Sequence, residues 1–279
     1  MESEDVPTKV LAVVSELLVP RVLRRTHPLF ALTSRKGAEL LGSGVVIGAG
    51  IVRYVLTASH LVNQVGSSGL MIGLGDEMLE VRGKRWCVTT ANAVSGTDSD
   101  RIDVTVIRLD EDAAGHYPED AVTPVAALEI DPAPDIRNPL LLLGYPCSKH
   151  KRALREHTFE AKAYSVVVDE VDLVEYATLT TDRSAHLALS LDRKDVWLPG
   201  GQRTAPSLNG MSGSGVWRMS VYGDGPASSV RLAGLFVEHY QKSRIKHVIA
   251  TRLTPVLAVV AGADMELRGA LAEIGVHVA

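Results

Sequence analysis

Several features that would assign this chain to a class at once are missing from it. Its 279 residues hold two cysteines, Cys87 and Cys147, too few for the disulfide scaffold of a small secreted domain. No run of about 18 apolar residues exists to cross a bilayer as a helix. The opening Met-Glu-Ser-Glu-Asp lacks the basic region and apolar core of a signal peptide. Neither sign of charge dominates: 29 Lys and Arg against 33 Asp and Glu leave a net charge of −4, so no global field favours nucleic acid or an anionic membrane. Aromatic residues make up only 5% of the chain, which leaves Val, Leu, Ala and Ile to fill the core. There is no internal repeat and no low-complexity tract. Cys147, His150 and His157 come nearest to a metal set, yet no second ligand pair follows at the usual spacing. The expectation is a soluble cytoplasmic protein with no metal, no cofactor, no nucleic-acid partner and no membrane partner.

What the chain does carry is a glycine-lined turn at Leu208–Trp217, L-N-G-M-S-G-S-G-V-W. Gly210, Gly213 and Gly215 around Ser212 permit backbone conformations that side chains forbid. A nucleophilic serine needs such a turn, because its hydroxyl must stand clear while adjacent N–H groups converge on the oxygen that becomes negative in acyl transfer. Gly210 and Ser212 are the natural donors. Alone, the turn also reads as surface loop. Two further stretches give it meaning: Gly42–Asn63, in which an apolar strand, a glycine turn and a second strand lead to Thr57-Ala58-Ser59-His60, and Asp103–Leu109, a strand opening on a carboxylate. They supply His60, Asp103 and Ser212 in the order His, Asp, Ser. Asp98 and Asp100 lie in a polar loop ahead of that strand and read as a solvated turn.

With these motifs the chain resembles the trypsin-like, or chymotrypsin-fold, serine peptidases, in particular their disulfide-free bacterial members. The resemblance rests on Gly42-Ser43-Gly44, Thr57-Ala58-Ser59-His60, Asp103-Val104-Thr105-Val106 and Gly210-Met211-Ser212-Gly213-Ser214. It implies an all-β fold of two six-stranded antiparallel barrels. The first, over 26–125, would hold His60 and Asp103; the second, over 139–255, would hold Ser212. It also implies His60 as general base, Asp103 as its orienting partner, Ser212 as nucleophile, and Gly210 and Ser212 N–H groups as the oxyanion hole. Counting along the matched strands places Pro206 and Ser207 at the base of the primary specificity pocket, with Val237, Glu238, His239 and Val248 on its walls. No acid sits at that base, so a small or medium apolar residue before the scissile bond is expected rather than Arg or Lys.

The remaining segments fit this frame. Val10, Leu11, Val14, Leu17 and Leu18 recur at helical spacing, so 1–25 reads as a helical leader that Pro20 ends or kinks. Secreted relatives are activated when a freed amino terminus pairs with an Asp before the nucleophile. Met211 stands there, and that switch is absent. Strands are expected at 29–34, 40–49, 54–58, 70–74, 81–88, 140–146, 159–168, 186–191, 232–237 and 247–253, with a Pro-rich crossing at 110–139 and a closing helix over 255–279. The 232–237 strand matches the one to which substrate backbone adds in relatives. The basic run Ser148–Arg155 lacks interleaved aromatics and reads as a solvated loop. A protein or peptide substrate is implied, with a regulatory protein partner as a further expectation. The α/β-hydrolase elbow, G-x-S-x-G, is excluded because Ser214 occupies its last position. The rival reading is a catalytically silent protease-like module that binds peptides or scaffolds a partner.

Overall fold

Short apolar runs bounded by glycine and polar turns make up most of the chain, and in the computed structural model they become strands, with helices at both ends. The structure describes residues 8–33, 37–65, 69–89, 102–130, 138–149, 151–152, 159–179, 182–191, 196–198, 201–220, 230–242 and 245–277. Helix α1 (Thr8–Arg25) leads directly into β1 (Thr26–Thr33). Then come β2 (Gly37–Ala49), β3 (Val52–Ala58), the short α2 (Ser59–Val65), β4 (Leu70–Leu74), β5 (Glu77–Glu80), β6 (Gly83–Val88), β7 (Val104–Leu109), α3 (Glu111–Gly115) and β8 (Thr123–Pro124). The second half holds β9 (Leu140–Gly144), β10 (Lys151–Arg152), β11 (Phe159–Glu160), β12 (Tyr164–Glu170), α4 (Leu173–Thr178), β13 (His186–Ser190), β14 (Val196–Leu198) and β15 (Gly201–Arg203). It continues with β16 (Gly215–Met219), β17 (Val230–Lys242) and β18 (Ile245–Arg252), and ends on α5 (Leu253–Ala263) and α6 (Met265–Glu273).

The first sheet has the order β5-β4-β1-β2-β3-β7-β6, with β8 added beside β2. Its two end strands are consecutive in the chain and separated only by Val81 and Arg82, so they are two halves of one bent strand that brings the sheet round on itself. Val81 N–H donates to Leu70 O on one side and Asp110 N–H to Arg82 O on the other. The single strand expected at 81–88 is therefore β6 alone, which Gly83 opens: a Cβ there would lie 1.8 Å from Arg108 O. The second half closes as a six-stranded barrel, β12-β13-β18-β17-β16-β9. The molecule is thus mostly β, two barrels with terminal helices.

Among the described residues three large cores and two smaller clusters result, and the two faces of a strand sort residues among them. On β9, Leu140 and Leu142 fill the second barrel, whereas Leu141 and Leu143 face a core shared by both barrels. On β2, Val46 turns into the first barrel while Val45 and Ile47 join the shared core. That is why Leu140–Leu143 is apolar at every position: each face of the strand has a core to fill. Leu18 and Val22 of α1 also enter the shared core, and this burial carries the helix through Pro20 to Arg25 although proline removes one backbone hydrogen bond. The closing helix is in fact two. Asp264 interrupts it with an extended backbone (φ −133°, ψ 114°), and its side chain accepts from Leu267 N–H to cap α6.

Candidate active site

His60 stands on the first turn of α2, directly after β3, and Asp103 immediately precedes β7. Because β3 and β7 pair antiparallel with Ala58 opposite Val104, the two residues emerge side by side at one end of the same ladder. Backbone bonds fix the junction: Ser59 N–H donates to Asp103 O at 2.9 Å and His60 N–H to Asp103 Oδ1 at 3.0 Å. The other carboxylate oxygen, Oδ2, is hydrogen-bonded to His60 Nδ1. With Nδ1 so engaged, Nε2 carries the free lone pair and has no partner among the described residues. The His60 side chain is 39% exposed, so that nitrogen can meet a substrate or a nucleophile.

The serine turn comes from the second barrel, between Leu208 and β16. Gly210 and Gly213 take φ of +86° and +81°, in the left-handed region that favours glycine. Met211 is fully buried in the second barrel's own core, so an apolar anchor sits where a charged switch would need an Asp. Its N–H donates to Leu208 O, and Ser214 N–H donates back to Met211 O. Gly213 N–H donates to Phe236 O, and Cys147 N–H donates to Asn209 O. Gly210 N–H and Ser212 N–H have no acceptor among the described residues, as a pair of donors awaiting a ligand oxygen requires.

Residues 42–44 of β2 bring the two halves together. Ser43 N–H donates to Ser212 O at 2.9 Å. A Cβ on Gly42 would meet Leu61 Cδ1 at 2.5 Å and Ser212 O at 2.8 Å, so the serine turn and the residue after His60 lie against the same glycine. Ser212 is partly exposed. Ser214 is fully buried, with its hydroxyl donating to Ser43 Oγ at 3.3 Å.

Of the residues assigned to the specificity pocket, Pro206 and Ser207 are partly exposed on the approach to the turn, and Ser207 Oγ accepts from Asn209 N–H. Val237 packs in the shared core and Val248 in the second barrel's interior. Glu238 and His239 lie opposite Ile249 and Val248 along β17, and their side chains are outside the described residues. So are Asp98, Asp100, His150 and His157. Among the described residues no group of three or more His, Cys, Asp or Glu side chains could hold a metal ion, and no helix is long and apolar enough to cross a membrane.

Ser43 and Cys147 touch the serine turn, and Tyr145 N–H donates to Ser43 Oγ. Ser43 lay inside a quoted motif and Cys147 was weighed as a metal ligand; nothing in the sequence marked Tyr145. Cys147 Sγ would be 2.3 Å from a Cβ at Gly210. Burial, and then the charge of Glu39, push its pKa up, which disfavours the thiolate form that a nucleophile needs.

A two-barrel β fold with a histidine–carboxylate pair on one barrel and a glycine-braced serine turn on the other defines a chymotrypsin-fold peptidase architecture. The family described as trypsin-like peptidase domain matches residues 42–220, and the chain belongs to that family. Among solved structures it is similar to neuropsin, a serine protease expressed in the limbic system of mouse brain, at 17% identity and a TM-score of 0.55, covering 88% of this chain and 96% of that one. No curated protein sequence matches.

Proposed function

We propose that the protein is a serine endopeptidase in which His60, Asp103 and Ser212 act as the catalytic triad. The observation that carries this reading is the His60–Asp103 pair, joined through both backbone and side chain, beside a partly exposed serine on a turn with two unengaged amides. Asp103 holds the His60 proton on Nδ1, so Nε2 takes the Ser212 hydroxyl proton as Oγ attacks the peptide carbonyl. Gly210 and Ser212 N–H groups receive the oxyanion. His60 then gives its proton to the leaving amine, and water releases the acyl group by the reverse sequence.

Strand addition of substrate is supported by the edge of β17 that faces away from β18: β16 pairs it only as far as Leu235, and the serine turn bonds Phe236, while β17 runs on to Lys242. An incoming polypeptide strand would pair with that edge beyond Phe236. The substrate class is then a polypeptide with a small or medium apolar residue before the cleaved bond. A cytoplasmic site of action is supported by the two free cysteines, which a reducing compartment preserves.

The test is labelling of purified wild type, Ser212→Ala and Ser214→Ala with a fluorophosphonate, read by intact mass. One adduct on wild type and Ser214→Ala, and none on Ser212→Ala, is expected. No adduct on wild type would turn the reading toward a silent peptide-binding module.

A further inference from the structure

We propose that Ser43 is a positioning residue for the nucleophile, a pin from the first barrel that sets where the second barrel holds Ser212 relative to His60. The inference rests on the serine-peptidase reading and concerns how that site is held.

Ser43 is fully buried and uses every polar atom it has on a different partner. Its N–H donates to Ser212 O at 2.9 Å. Its carbonyl accepts from Thr57 Oγ1 at 2.7 Å, and Thr57 lies on β3 three residues before His60. Its Oγ accepts from Tyr145 N–H at 2.9 Å and from Ser214 Oγ at 3.3 Å. One residue thus joins the strand that delivers the histidine, the turn that carries the serine, and the end of β9. Glycines clear the space around it. A Cβ on Gly213 would meet Ser43 O at 2.0 Å and Thr57 Oγ1 at 2.5 Å. One on Gly144 would meet Ser214 Oγ at 1.6 Å and Ser43 Oγ at 2.8 Å.

Packing this close leaves no slack. Removing the Ser43 hydroxyl strands two buried donors, Tyr145 N–H and Ser214 O–H. Both donors belong to the second barrel, so the serine turn re-seats while His60 and Asp103 stay on the first. Ser43 has no exposed surface and cannot touch substrate, so the effect falls on the chemical step and not on binding.

The experiment uses the full chain as wild type, Ser43→Ala and Ser214→Ala, and measures saturation kinetics of fluorophosphonate inactivation, with thermal melting in parallel. Adduct is quantified so that rates are expressed per titrated site. Ser43→Ala is expected to label to completion with its maximal rate constant lowered about 10- to 100-fold, as sub-ångström misplacement of a nucleophile predicts, and with the half-saturating concentration unchanged. Ser214→Ala, which keeps the Tyr145 bond, is expected to slow less. A merely structural Ser43 would lower the melting temperature and the titrated fraction but leave the per-site rate at wild type; that result overturns the proposal. If Ser43→Ala does not fold, Ser214→Ala decides, and a wild-type rate there overturns it equally. Wild type unlabelled at Ser212 overturns the serine-peptidase reading itself, and the positioning role with it.

Discussion

At the scale of single residues, the site depends on atoms that cannot be enlarged. Gly210 combines φ +86° with a Cβ position 2.3 Å from Cys147 Sγ and 2.7 Å from Cys147 N. Any side chain there meets both backbone strain and backbone atoms. On the proposed function, Gly210→Ala is expected to turn the 210 amide away from the oxyanion and lower turnover about 100-fold or more, the loss that follows removal of one such donor. Adding Cys147→Ala removes the sulfur but neither the 147 amide nor the strained φ. The double variant is therefore expected to recover little, and turnover of a peptide substrate per titrated site checks both. Recovery to wild type would mean that the sulfur alone set the turn.

At the scale of elements, the closing helices hold the ladder that carries His60 and Asp103. Tyr54 and Arg108 face each other across β3 and β7. Tyr54 O–H donates to Asp264 Oδ1 at 2.7 Å and Arg108 to Oδ2 at 2.9 Å. Burial alone would raise the Asp264 pKa. The hydrogen bonds from Leu267 N–H, Tyr54 and Arg108 outweigh it and hold the carboxyl below its usual range. A lowered folded-state pKa adds stability that is complete above the unfolded value of about 3.9 and is lost as pH falls through the lower one. Wild type is therefore expected to lose melting temperature more steeply than Asp264→Asn as pH is taken from 5 down through 3. Parallel curves would show that the carboxylate does not hold the helices. The same helices replace the single one read from the sequence: α5 runs apolar on the shared core, and Asp264 stops it in order to reach β3 and β7.

At the scale of the whole molecule, a buried ionic cluster ties the segment between the barrels to the second of them. Arg218 of β16 bonds Glu129 at 2.6 Å and Glu170 at 3.1 Å, and Arg252 of β18 bonds Glu170 at 2.7 Å. Tyr176 O–H adds a third donor to Glu170 at 3.0 Å. Burial pushes the Glu170 pKa up, but Arg252, Arg218 and Tyr176 together bring it below the ordinary value. Removing one member leaves the others charged and dry. Glu170→Ala is expected to cost about 3–5 kcal/mol, read as a lower denaturant midpoint. The exposed Arg24–Asp120 pair, with side chains 67% and 59% accessible, is expected to contribute about 0–1 kcal/mol. Equal effects from Glu170→Ala and Arg24→Ala would contradict this division.

Local pattern determined much of this by itself. Short apolar runs bounded by glycine and polar turns marked most strands, since a buried strand needs apolar neighbours and its ends need residues that can turn. Leu140–Leu143 announced a buried strand, though not that each of its faces would meet a different core. The glycine spacing around Ser212 announced a turn, because left-handed φ is a demand the backbone makes locally. Other features were settled only by packing. The start of β6 at Gly83 rather than at 81 follows from the approach of Gly83 to Arg108, residues far apart in sequence. Continuation of α1 through Pro20 follows from Leu18 and Val22 entering a core built by both barrels. Ser43 and Cys147 acquired their places at the serine turn, and Tyr145 its place against Ser43, in the same way. A buried donor's partner, and the atom a glycine leaves room for, belong to whichever segment folding brings alongside, and no local periodicity encodes that.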